Sequence, residues 1–359
     1  MVGLRLFSRP RGLAVGAVLL LAFEVAGPVT EAQTTEAQGP GAAAAGGQNA
    51  GGQLPAEAQA RLAQLQAALQ SALAARDART AGRVLNQIGD FWLRVGNAQN
   101  ALEAYNHAVA AASVAQDAEQ GVAALNGVGN AARSAGQIQE AGQAYERAVE
   151  VATAQGVVGG KADALNGLAL LYASQKQPQQ ALDYANQALA IRQSMGDKAG
   201  QATILGEIAT GYGAAGDKQK ALEYAQQAHD LFQAVGDHRD EAIALMGIGD
   251  IYGSMRDRKA MDYYSQALAI ARQGNFPRIE ASALNKIGMG ESAMGENQKA
   301  LESYNEALPI FQRMNMTDAA GLTLNNMALA WSNLGEEQKA LGYYNQALPA
   351  VRYPLITRS

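Results

Sequence analysis

Along the chain, apolar and small side chains return in one fixed order about every 40 residues. A leucine opens the order at Leu85, Leu125, Leu165, Leu205, Leu245, Leu284 and Leu324, with a spacing of 40 five times and 39 once. Three residues on stand Ile88, Val128, Leu168, Ile208, Ile248, Ile287 and Met327, followed at once by Gly89, Gly129, Ala169, Ala209, Gly249, Gly288 and Ala328. Rings at Trp92, Tyr172, Tyr212, Tyr252 and Trp331 occupy the next turn. Steps of three, one and three residues share one face of an α-helix but would scatter over both faces of a strand. The pattern therefore predicts an amphipathic helix written seven times.

A turn follows each of these helices. Gly96, Gly136, Gly216, Gly295 and Gly335 stand where a helix ends by turning left-handed, a conformation glycine adopts cheaply. Lys176 and Arg256 take that place in the third and fifth copies, and Pro178 suits the first turn of the next helix. A second helix then carries Ala101, Ala141, Ala181, Ala221, Ala260, Ala300 and Ala340, with another alanine seven residues after each. Four residues after the first alanine stands Tyr105, Tyr145, Tyr264, Tyr304 or Tyr344, while Tyr184 and Tyr224 fall one place earlier. Paired alanines let two helices approach closely and the ring fills the space beside them. One hairpin of this kind cannot bury both of its faces, so neighbours must stack. Residues 56–77 repeat the second-helix pattern alone and read as a cap over the first hairpin, which gives fifteen helices in all. Pro309 and Pro349 fall inside second helices and predict kinks.

The order of these residues resembles the tetratricopeptide (TPR) family in its long-period form of about 40 residues. Stretches such as LGEEQKALGYYNQALP at 334–349 are similar to the repeats of bacterial TPR proteins that carry a caspase-like CHAT domain, and the ALN and LNN openings resemble kinesin light chain repeats. The resemblance implies an all-α fold, a right-handed α-solenoid of seven TPR helix hairpins behind an N-terminal capping helix. The organisation then reads as a capping helix at 55–80, an array at 81–350 with repeats opening near 82, 122, 162, 202, 242, 281 and 321, and a tail at 351–359. In that resemblance the first helices line a groove. The residue after each repeated leucine is Asn86, Asn126, Asn166, Asn285 or Asn325, with Gly206 and Met246 in copies four and five. An amide carries both a donor and an acceptor, so a row of them can pair an extended peptide backbone. The alternative is that each amide bridges neighbouring helices within the scaffold. Arg83, Asp90, Arg94, Asn130 and Arg133 add charge and polarity in the first two repeats, where the arginines either meet an acidic group of a client or make scaffold salt bridges.

The N-terminus departs from the repeat. Arg5, Arg9 and Arg11 precede an apolar run from Gly12 to Phe23 and small residues through Ala32. That is the order of a secretory signal peptide at 1–32, too short in its apolar part for the roughly 20 residues that span a bilayer. Cleavage implies a secreted or periplasmic chain, and retention of the segment implies an anchor in the inner membrane. Residues 33–54 are Gly, Ala and Gln with almost no charge and read as a disordered linker.

Composition narrows the chemistry. The 359 residues include 76 alanines and 39 glycines, with a net charge of −5 that argues against binding the phosphates of nucleic acid. Cysteine is absent, which removes disulfides, thiolate zinc sites and a cysteine nucleophile. The three histidines, His107, His229 and His238, show no metal-binding spacing, and no nucleophile elbow occurs. The run from Gly211 to Gly216 matches a dinucleotide fingerprint, but it falls at a helix end with no preceding strand. The expectation is a non-enzymatic scaffold without metal or cofactor that binds a protein or an extended peptide. By resemblance to TPR–CHAT proteins, an alternative is the regulatory half of a split or truncated peptidase. A bare Ala/Tyr face on the last hairpin favours self-association as a third reading.

Overall fold

The computed structural model describes residues 54–348. The signal segment, all but the end of the linker, Pro349 and the 351–359 tail lie outside the described residues. Among the described residues the chain forms fifteen α-helices and no strand. They fall into two compact units that meet in sequence at Gly196 and Asp197.

Unit one holds the cap α1 (Ala56–Ala74) and three hairpins, α2 (Ala78–Arg94) with α3 (Ala98–Ala115), α4 (Ala118–Ser134) with α5 (Ile138–Gln155), and α6 (Val158–Ser174) with α7 (Pro178–Ser194). Unit two holds four hairpins, α8 (Lys198–Ala214) with α9 (Lys218–Val235), α10 (His238–Ser254) with α11 (Lys259–Gln273), α12 (Pro277–Ala293) with α13 (Asn297–Arg313), and α14 (Thr317–Asn333) with α15 (Glu337–Ala347). Each first helix starts about a turn before the expected opening, because the helix continues N-terminally from the apolar pattern to its cap. Asp77, Asp117, Asp197 and Asp237 stand at those caps, and each accepts a hydrogen bond from the backbone N–H three residues on. The glycines at 96, 136, 216, 295 and 335 all take positive φ, and Lys176 and Arg256 adopt the same left-handed turn at 59° and 57°. Pro309 lies inside α13, which continues past it to Arg313.

The core is the repeated pattern itself. Leu62, Leu65, Leu69 and Ala72 of α1 are buried beside the first hairpin, as the cap reading requires. In four of the second helices a tyrosine fills a slot made by glycine. Ideal Cβ atoms on Gly89 and Gly127 would lie 2.6 and 2.4 Å from the Tyr105 ring, and those on Gly129 and Gly167 would lie 2.4 and 2.3 Å from Tyr145. Tyr264 against Gly249 and Tyr304 against Gly288 repeat the contact in unit two at 2.5 and 2.6 Å. Copies three and four follow another solution. Tyr184 and Tyr224, one place earlier, stack on Tyr172 and Tyr212 with ring centroids 5.4 Å apart and interplanar angles of 6° and 7°. With no ring in the slot, the small residues there are Ala169 and Ala209.

Candidate functional site

The residues expected to bind lie on the first helices, at two places before, one after and five after the repeated leucine, with Arg133 eight and Arg94 nine places after it. The amides do not form one open row. Asn126 is only 8% exposed, and its Nδ2 donates to the Gly160 carbonyl at 3.0 Å, tying α4 to α6. Asn86 makes the equivalent link from α2 to α4, donating to the Gln120 side-chain oxygen at 3.1 Å and to its carbonyl at 3.4 Å. An amide one residue past a buried leucine stands in the crevice between successive first helices, within reach of the backbone 34 residues on. The donor that would pair a peptide is thereby used by the scaffold at these two positions. The carbonyl oxygens of Asn86, Asn126 and Asn166 are buried with no hydrogen-bond partner among the described residues. In unit two, Asn285 accepts weakly from the Thr323 hydroxyl at 3.4 Å across α12 and α14, and Asn325 is exposed.

The polar partners five places after the leucine also hold rings. The Tyr105 hydroxyl donates to Asp90 at 2.6 Å, the Tyr145 hydroxyl to Asn130 at 2.7 Å and the Tyr264 hydroxyl to Asp250 at 2.9 Å. Burial, and then the neighbouring carboxylate, pushes the Tyr105 phenol far above its ordinary range. Burial also raises the Tyr145 phenol, where Arg133 pulls the other way. Arg83 and Arg94 are exposed on α2, whereas Arg133 is half-buried and its Nε has no partner. Of the ten residues expected on the binding face, Arg83, Asp90, Arg94 and Asn325 are open to solvent.

Unit two presents a different surface at the same positions. Ile243 and Leu322, two places before the leucine, are 43% and 57% exposed, and Met289 and Leu329, five places after it, are 51% and 48% exposed. Met246 is half-buried beside them. Their helices lie side by side. The Lys286 ammonium bonds Asp250 at 2.7 Å across α10 and α12, and Thr323 joins α14 to α12. The distinguishing signal is phase combined with exposure: large exposed apolar side chains stand two places before or five after the core leucine only in the last three repeats, while Leu170, five after Leu165, is half-buried.

His238 and His229 converge on the buried Glu241, at 2.9 and 3.9 Å, with Gln233 donating at 3.3 Å, a polar link that holds α9 to α10. No group of three or more metal-ligating side chains occurs among the described residues. The glycines of the fingerprint-like run lie at the end of α8 and in the turn after it. No described helix is long and apolar enough to cross a membrane.

The family model described as tetratricopeptide repeat matches residues 80–154, 122–194, 160–234, 200–273 and 279–352. No curated protein matches the chain. Solved structures share its fold at low identity. BtubC (BKLC) from P. vanneervenii superposes with a TM-score of 0.54 at 20% identity over 62% of this chain and 96% of that one. The signal transduction ATPase with numerous domains PH0952 from Pyrococcus horikoshii, which carries a tetratricopeptide repeat sensor, gives 0.62 at 18% over 83% of this chain and 47% of its own. A Rap protein complexed with competence and sporulation factor gives 0.55 at 15% over 80% and 84%.

Proposed function

The chain belongs to the tetratricopeptide repeat family, and from that premise we propose that it is an exported, non-enzymatic scaffold that holds an extended segment of a client protein against its first helices. The observation that carries the reading is the exposed apolar group Ile243, Met289, Leu322 and Leu329, which stand two places before or five after the core leucine on α10, α12 and α14. Single exposed apolar residues are ordinary on a protein surface, but a group of them on neighbouring helices, with Met289 and Leu329 at the same repeat position, marks an interface. An extended chain suits it, since a peptide lying across parallel helices meets one such side chain per repeat. The likeness to a Rap protein solved with a bound factor supports a binding role by analogy of fold. Export rests on the order of Arg5, Arg9, Arg11 and the following apolar run.

Met289→Asp, Leu322→Asp and Leu329→Asp combined test the reading, because these side chains support no core. Clients captured from the native host by the tagged protein and identified by mass spectrometry should be depleted at least tenfold by the triple variant, with helicity unchanged. Equal recovery overturns the assignment. A second reading has its own observation. Leu341 is 61% exposed on α15 where its counterpart Leu301 on α13 is 2% exposed, so the last described hairpin bares a face that its predecessor buries. Self-association through α15 should appear as a concentration-dependent sedimentation coefficient that Leu341→Asp abolishes, and a strict monomer removes it.

A further inference from the structure

Unit two also contains a recess at one end of this apolar series. A cavity of about 500 Å³ opens between the start of α10, the turn from α11 to α12 and the end of α13. Ile243, Met246, Phe276 and Met314 make it apolar, and Arg239 and Arg278 stand beside them with no aspartate or glutamate in the lining. The volume falls in the range of about 300–1,000 Å³ that holds small ligands or a large side chain with its flanking backbone. Two methionines make the walls adaptable. Both arginines are exposed. Arg239 meets only Asp240, in a solvent-exposed pair at 3.2 Å that a competing anion can displace. Glu280 and Glu306 are both taken by Arg272, and Arg278 has no ion pair among the described residues. The helix α12 begins in this wall at Pro277 without a capping side chain, so the positive end of its dipole adds to the same sign.

An apolar floor beneath unopposed positive charge selects a guest that is apolar at its tip and anionic beside it. Ile243 belongs both to the cavity and to the exposed series that continues with Met289, Leu322 and Leu329. A guest seated here therefore continues as a chain along that face. We propose that the cavity is a specificity pocket for an acidic peptide, taking one large apolar side chain while flanking carboxylates meet Arg239 and Arg278. The proposal rests on the first-helix faces being the client surface and adds the client's chemistry to it.

The test uses the full chain and three fluorescent octapeptides in anisotropy titrations. The first has a central phenylalanine between aspartates, the second replaces those aspartates with asparagines, and the third replaces the phenylalanine with alanine. The first should bind at least tenfold more tightly than either control at low salt, with the gap to the asparagine peptide narrowing as salt rises. The double variant Arg239→Gln/Arg278→Gln, altered only at exposed side chains, should bind the aspartate and asparagine peptides alike. Ile243→Asp should remove binding of all three. No measurable binding of the first peptide, equal binding of the first two by the native chain, or discrimination surviving in the arginine variant overturns the pocket. The Met289, Leu322 and Leu329 variant separates the two levels. If it still captures clients while the octapeptides discriminate, the pocket stands and the wider surface fails. If it loses clients while the octapeptides do not discriminate, the surface stands and the pocket fails.

Discussion

At the scale of single residues, glycine and tyrosine are chosen together. A tyrosine four places after the first alanine of a second helix faces glycine in its own hairpin in all but the last copy, and Tyr105 and Tyr145 find a second glycine, Gly127 and Gly167, in the next hairpin. Where Tyr184 and Tyr224 shift to stack on another ring, the slot carries alanine. This opposes helix propensity, because glycine inside a helix costs about 1 kcal/mol relative to alanine. The propensity is sacrificed for ring volume. Gly127→Ala should therefore destabilise unit one by about 1–3 kcal/mol, since its Cβ would fall 2.4 Å from a buried ring. Gly206→Ala and Gly247→Ala, with nothing within 4 Å, should stabilise unit two by about 0.5–1 kcal/mol. Urea unfolding followed by circular dichroism reads both signs, and a stabilising Gly127→Ala would refute the slot.

At the scale of helices, the ends were legible in the sequence because their chemistry is local. The Gly-Asp pairs at 196–197 and 236–237 put a left-handed residue before an N-cap in two adjacent letters. The exceptions were legible too. Lys176 and Arg256 break the glycine column, yet the chain turns left-handed there regardless, because the repeats on either side leave no other route. A non-glycine residue in that conformation costs about 1–2 kcal/mol. Both side chains are exposed, so Lys176→Gly and Arg256→Gly lose no packing. Each should raise the unfolding free energy by up to about 1 kcal/mol, the extra freedom of glycine in the unfolded chain offsetting the rest. A fall in the denaturant midpoint would show that those turns carry no strain. The amide row stayed ambiguous in the sequence for the opposite reason. Whether an asparagine faces a client or a neighbouring carbonyl depends on the gap between helices 40 residues apart, and Asn126 and Asn325 look alike in sequence while one is buried and the other exposed. The apolar wall of unit two escaped notice because an exposed leucine and a core leucine differ only in phase.

At the scale of the whole molecule, the buried phenols make stability depend on alkaline pH in both units at once. Tyr304 is pushed up to about 12 by burial and then by the charge of Glu291. Tyr105 and Tyr264 are raised by burial together with Asp90 and Asp250, and Tyr145 is raised by burial. In the unfolded chain these phenols ionise near pH 10. Between that value and the raised one, the native state keeps protons that the unfolded state has released. Stability is therefore unaffected by these groups below pH 10 and falls as pH rises above it. Because each ring lies between helices of a stacked array, its ionisation removes a contact from the slot rather than from the surface, and hairpins that depend on it separate. The melting temperature should hold steady from pH 8 to 9.5 and then decline. Absorbance at 295 nm should show the buried phenols ionising only together with loss of helix signal. Tyr304→Phe should soften the decline in unit two without altering the plateau by more than the loss of one buried hydroxyl. If all tyrosines ionised near pH 10 with helicity intact, the rings would be open to water, and the slot geometry that sets the repeat would be wrong.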